Sequence, residues 1–166
     1  MLRYVMPVWA TIAVDIVAWG AFHAGTGYAA HRLGDGRLAR DGWLLRARRF
    51  EDDGRLYRRT LRIHRWKDRL PEAGALFDGG ISKRELPARD VTGLGLFVRE
   101  TRRAELTHWW AMACSPLFLI WNPPLAAALL VAYGVLVNLP FILIQRYNRF
   151  RTQPLLARLE RRRTQR

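Results

Sequence analysis

Glu105 and His108 stand three residues apart in the string Arg102-Arg103-Ala104-Glu105-Leu106-Thr107-His108-Trp109-Trp110. On a helix that spacing puts both side chains on one face. A carboxylate beside an imidazole favours the imidazolium, raises its pKa and can orient the ring. His108 then makes a usable general base for a hydroxyl. A wet helix start carrying an idle histidine would read the same way. Glu-x-x-His is also half of a di-metal carboxylate site, but such sites need a second copy on another helix and the chain has none. No metal is expected. A second polar string, Gln145-Arg146-Tyr147-Asn148-Arg149-Phe150-Arg151, closes an apolar run. A basic stop explains its arginines but not Gln145 and Asn148.

The two strings belong at one depth. His108 and Asn138 each lie 15 residues from Pro123, about 22 Å along straight helices. Pro140 deprives the carbonyl of Leu136 of its helical partner, which adds polarity at that level. Other nucleophilic chemistry is missing. Neither serine, Ser82 or Ser115, sits in Gly-x-Ser-x-Gly, and no phosphate-binding glycine loop occurs. Cys114 has no charged neighbour in sequence to lower its pKa and reads as a packing residue. Asp15 and His23, eight apart in an apolar stretch, form an odd ionisable pair; they suit a polar helix contact or a transport role. Ala21, Gly25 and Ala29 beside them would let another helix approach closely.

The elements that position these residues follow from where the charge lies. The chain of 166 residues is one domain by length and carries a formal net charge of +14. Charge and apolarity are segregated. Residues 4–30 hold one acid, Asp15, and no lysine or arginine, while residues 106–145 hold no acid, lysine or arginine. A bilayer helix needs about 20 apolar residues. The pattern predicts an all-α integral membrane protein, residues 1–166 forming a single membrane domain, with three spans at about 5–29, 106–121 and 125–144. Asn122-Pro123-Pro124 divides the last two. The middle span is short and carries Pro116, so a kink or partial crossing is expected. A cleaved signal peptide fits the first stretch poorly, since the apolar run is too long and the basic start is only Arg3. Arginine counting puts the loop 32–104 and the basic tail 146–166 in the cytoplasm of a bacterial cell membrane protein, with the active face there. The loop mixes arginines with Trp43, Phe50, Tyr57 and Trp66, the composition of partly helical segments lying in the headgroup layer. Pro71, Gly74, Gly79, Gly80 and Pro87 mark a looser stretch, and residues 91–105 lead helically into the second span. Nucleic acid is not an expected partner, because the charge adjoins spanning segments.

Arg65-Trp66-Lys67-Asp68-Arg69, Glu100 to Trp109, Asn138-Leu139-Pro140 and Gln145-Arg146-Tyr147-Asn148-Arg149 together resemble the glycosyl-4,4'-diaponeurosporenoate acyltransferases, the membrane enzymes of the last step of staphyloxanthin synthesis. The resemblance runs from about Phe50 to the tail and departs at Phe150, where the family has proline. It implies transfer of a fatty acyl group onto a hydroxyl of a glycosylated carotenoid or other glycolipid. The residues supply a mechanism for it. His108, oriented by Glu105, deprotonates the sugar hydroxyl as it attacks a thioester; Asn138, Gln145 or Asn148 donates to the oxyanion; Arg102, Arg103, Arg146 and Arg149 hold the phosphates of the donor, acyl-CoA. Trp66, Lys67 and Trp109 join the substrate-binding set. No resident cofactor is expected. The partners are the bilayer, the two substrates and other carotenoid-pathway enzymes. The alternative is a non-catalytic scaffold or lipid-binding subunit of such a biosynthetic complex, and a transporter subunit rests only on Asp15 and His23.

Overall fold

The structure is a computed structural model that describes residues 6–70 and 90–165. Their regular elements are all helical, with no strand among the described residues. They are α1 (Val8–His31), the single turn α2 (Asp35–Leu38), a series of short 3-10 and π turns from Arg49 to Arg69, α3 (Val91–Cys114), a 3-10 segment (Ser115–Ile120) and α4 (Pro124–Thr164). The expected breaks at Pro71, Gly74, Gly79, Gly80 and Pro87 lie outside the described residues.

Two helices, α1 and α4, are long and apolar enough to cross a membrane. Of the 24 residues of α1 only Ala30 is buried, and Trp9, Ile16 and Val17 stand fully outward. The middle stretch is built differently. α3 starts at an Asp90 N-cap, whose carboxylate accepts from the Gly93 N–H at 2.7 Å. It stops at Cys114 because Pro116 has no N–H to offer the carbonyl of Met112. The Ser115 hydroxyl donates to that carbonyl at 2.7 Å instead, and the chain tightens into the 3-10 segment. Pro124 is then tolerated at the first position of α4, where no N–H is required.

α4 does not end at 144, where the charge pattern closes the span. It runs for 41 residues through Pro140 and Pro154, a length of about 62 Å. α3 and α4 pack as an antiparallel hairpin. α1 lies against them antiparallel to α3: Asp15, near its start, reaches Trp121 and Asn122, and the carbonyl of Leu33, just past its end, reaches Arg103. Close approach is made by Gly134, not by the small residues of α1. A Cβ on Gly25 would meet nothing within 4 Å, whereas one on Gly134 would come within 2.7 Å of the Trp19 ring. Trp19 packs there with Phe118 and Tyr133, at ring separations of 5.1 and 5.5 Å.

A second core closes the other end. Tyr57 and Ile63 of the short turns pack on Ile144 and Tyr147 of α4, with Trp66 and Phe150 at the margin. The chain enters this core through Asp52, Asp53 and Gly54, all at positive φ. Gly54 is required twice over. Its φ is +81°, and a Cβ would sit 2.8 Å from Cβ of Phe150.

Candidate functional site

Two polar layers fill the α3–α4 hairpin. The first is ionic. Glu105 is fully buried, and its carboxylate accepts from Arg146 Nε at 2.7 Å, Arg149 Nη1 at 2.6 Å and Trp109 Nε1 at 3.2 Å. Arg146 spends Nη1 on Glu51 at 2.5 Å and Nη2 on the carbonyl of Leu44 at 2.7 Å. Arg149 gives Nη2 to the carbonyl of Leu45 at 2.7 Å. Arg102 donates through Nε to Asp41 at 2.7 Å and through Nη1 to the carbonyl of Leu38 at 2.8 Å. Glu51, itself fully buried, also accepts from the Tyr57 hydroxyl and the Arg48 N–H. The lattice thus balances the arginines 102, 146 and 149 against the acids 41, 51 and 105, and it straps residues 38–51 across the end of the hairpin.

This environment sets the protonation states. Burial pushes Glu51 up, but the hydrogen bonds from Tyr57, Arg146 and Arg48, with the charge of Arg146, outweigh it and hold the carboxyl below its ordinary value. Burial and the Glu51 hydrogen bond push Tyr57 up. Arg146 is raised as well, since Glu105 and Glu51 overcome the cost of its burial. Glu51 is therefore a carboxylate at neutral pH.

The second layer is neutral and lies nearer the Asn122-Pro123-Pro124 turn. His108 Nδ1 is 3.0 Å from Asn138 Oδ1, so the depth match between the two strings is met. Asn138 Nδ2 donates to the carbonyl of Gly134 at 2.9 Å. That bond fixes which way the amide points and makes Oδ1 the acceptor toward the ring. Nδ1 is then the donor to Oδ1, and in the neutral ring this tautomer leaves the lone pair on Nε2. Phe141 stacks flat on the imidazole, with centroids 4.8 Å apart and planes 9° off parallel. Gln145 follows one turn later on the same stripe of α4, nine-tenths buried.

Several expectations change at this resolution of detail. The carboxylate of Glu105 serves the arginine pair and Trp109, while Asn138 and Phe141 hold the ring of His108. One N–H of the Asn138 amide is committed to the carbonyl of Gly134, and its oxygen faces His108. Arg102, Arg146 and Arg149 turn donors inward on carboxylates and carbonyls of the chain itself. Arg103 pairs with Glu100 at 2.9 Å. Trp66 donates to the carbonyl of Leu61 at 3.0 Å in the second core, and Lys67 pairs with Asp68 at 2.5 Å, so neither joins the hairpin layers. Asn148 is buried beside Arg149. Asp15 accepts from Trp121 Nε1 and Asn122 Nδ2, both at 2.8 Å, and His23 stacks on Trp19 at 5.6 Å, so the two serve different contacts. Sequence reasoning missed Asp41, Glu51 and Tyr57. No string marks them, and only their burial reveals their part. Among the described residues no cluster of His, Cys, Asp and Glu is arranged to hold a metal.

A family model described as Glycosyl-4,4'-diaponeurosporenoate acyltransferase matches residues 41–158. The chain belongs to this family. The match starts at Asp41, ahead of the Phe50 boundary expected from the motifs, and so takes in residues 41–51 of the strap along with both hairpin layers. The Glycosyl-4,4'-diaponeurosporenoate acyltransferase of Staphylococcus haemolyticus (strain JCSC1435) is 36% identical over 104 residues, 63% of this chain and 60% of that protein. Its namesake from Staphylococcus aureus (strain USA300) is 31% identical over 115 residues, 68% of each. The chain therefore spans about 60% to 68% of the length of these curated relatives. No solved structure matches it.

Proposed function

We propose that the chain is a membrane acyltransferase that moves a fatty acyl group from a thioester onto a sugar hydroxyl of a glycosylated carotenoid or related glycolipid. The family membership supports the reaction class, and the observation that carries the mechanism is the His108–Asn138 pair, 3.0 Å apart inside the hairpin. Asn138 holds the Nδ1–H tautomer, so Nε2 takes the proton from the sugar hydroxyl. The oxygen attacks the thioester carbonyl, the C–S bond breaks, and the departing thiolate is protonated. Among the described residues Ser115 spends its hydroxyl on the carbonyl of Met112, and in this reading the transfer is direct. The ionic lattice acts by position. It locks α4 against α3 and keeps His108 opposite Asn138.

The donor in this reading is acyl-CoA. Its phosphates fall to exposed arginines in and beside the short turns that follow the strap, such as Arg55, Arg58 and Arg59, since Arg102, Arg146 and Arg149 have partners in the chain. That face is cytoplasmic by arginine counting, and the stretch around Leu106 to Trp121 completes a third crossing between α1 and α4. The protein sits as a multi-pass protein in a bacterial cell membrane. The test is direct. Purified protein in lipid nanodiscs, given palmitoyl-CoA and a glucosylated carotenoid, should release CoA and form the sugar ester. A scaffold would turn over neither, and labelling of a cysteine at position 55 from outside intact cells would overturn the topology.

A further inference from the structure

Gln145 is 5% exposed, and its Oε1 is buried with no donor reaching it. Glu105, Asn138, Arg146 and Arg149 have named partners, and the other buried side-chain atoms left without one among the described residues, Trp19 Nε1, Arg99 Nε and Arg103 Nε, are donors. A buried acceptor without a donor costs free energy in the resting protein, so a fold that keeps one calls for an explanation. The location supplies it. Asn138, Phe141 and Gln145 occupy positions i, i+3 and i+7 of α4 and form one stripe. The first two hold the ring of His108 by hydrogen bond and by stacking. Gln145 is four residues beyond Phe141, about 6 Å along the axis, which is about the width of a hexose ring. The next residue, Arg146, is committed to Glu105 and Glu51, so the gap in hydrogen bonding borders the ionic lattice.

We propose that Gln145 is a specificity-determining residue whose carbonyl oxygen accepts a hydrogen bond from a second hydroxyl of the sugar, one that is not acylated. This rests on the reading of the chain as a sugar acyltransferase and deepens it: the acceptor must be a polyol ring presenting one hydroxyl to His108 and another to Gln145. A lipid alcohol with a single hydroxyl would leave Oε1 buried and unmet, and the site would reject it. A hydrogen-bonding group left unmet by an analogue is the usual source of such discrimination.

The experiment uses full-length protein in nanodiscs and two measurements. Binding of dodecyl β-glucoside and of its four monodeoxy analogues is measured for the wild type and for Gln145→Leu. Unfolding of both proteins is followed without ligand. The wild type should lose about tenfold in affinity for one deoxy position besides the acylated one. Gln145→Leu should bind the parent glucoside about tenfold more weakly and no longer distinguish that analogue, while unfolding at the same temperature or higher, because it removes a buried unmet acceptor. The inference is overturned if the wild type binds all four analogues alike, if it does not bind the glucoside, if Gln145→Leu keeps the discrimination, or if Gln145→Leu unfolds at a clearly lower temperature, since the oxygen would then serve the fold. Failure of the acyltransfer reading looks different: no ester forms from palmitoyl-CoA and any glucoside, whatever the affinities. An acyltransferase that esterifies equally well every monodeoxy glucoside that keeps the acylated hydroxyl would sink the Gln145 proposal alone.

Discussion

The two polar layers of the hairpin lie about two turns apart on α4, yet they are built by opposite rules. In the ionic layer each carboxylate of Glu51 and Glu105 and each guanidinium of Arg146 and Arg149 is matched, and the partners come from three separate stretches of chain. In the other layer Asn138 and Gln145 are neutral amides, and Gln145 has an acceptor to spare. Charges buried in an apolar setting must be paired or they unfold their surroundings, so a saturated lattice can hold shape but has nothing left to offer a ligand. A neutral layer can carry unmet capacity at tolerable cost. Under the proposed mechanism the difference gives rigidity to one level and chemistry to the other.

The largest effect should come from Glu105→Leu. It strands two buried guanidiniums, and removing one partner of such a lattice costs about 3–5 kcal/mol. Thermal unfolding in detergent should show it, with poor accumulation in cells. His108→Ala should do the reverse. It should unfold close to wild type and lose more than about a hundredfold in acyl transfer, the lower end of general-base contributions. Equal destabilisation by the two variants would erase the contrast between the layers.

Asn138→Leu tests the tautomer. Without the acceptor, the Nδ1–H form is no longer enforced, and kcat should fall by about tenfold with the donor KM little changed. Acid should act on the ionic layer first. Glu51 titrates below its ordinary value in the folded protein, so its contribution is present above the unfolded carboxylate pKa and is lost as pH falls through the folded one. Stability measured by unfolding should therefore drop below about pH 4, and Glu51→Gln should flatten that drop. The smallest effect should be Asp15→Asn. The amide keeps an oxygen for Trp121 and Asn122, so activity should stay within about twofold and stability within about 0.5 kcal/mol.

Much of this arrangement is legible in the sequence. The charge-free runs mark the apolar helices, Pro116 and Pro123-Pro124 mark their breaks, and equal spacing from the turn pairs His108 with Asn138. What escapes is the partnering of charges. Nothing local says that Arg146 and Arg149 face Glu105 and Glu51 in preference to a substrate, because a buried arginine and a surface arginine have the same letter. Glu51 lies 95 residues from Arg146, and long-range pairs leave no periodic trace. The end of α4 escapes for a similar reason: a polar helix anchored by tertiary contacts carries no apolar signal past 144.

Gly134 has a bearing on the genetics of the chain. Its missing side chain admits the Trp19 ring from α1, and its carbonyl holds the amide of Asn138. A single position thus sits under both the helix outside the family match and the residue that sets the histidine's tautomer. A Gly134→Ala allele would behave as a catalytic lesion although it touches no reacting atom. Its suppressors should arise at Trp19, as exchanges for smaller residues, rather than around His108. The first helix, where the resemblance to known relatives fades, would in this way co-vary with the best-matched part of the chain.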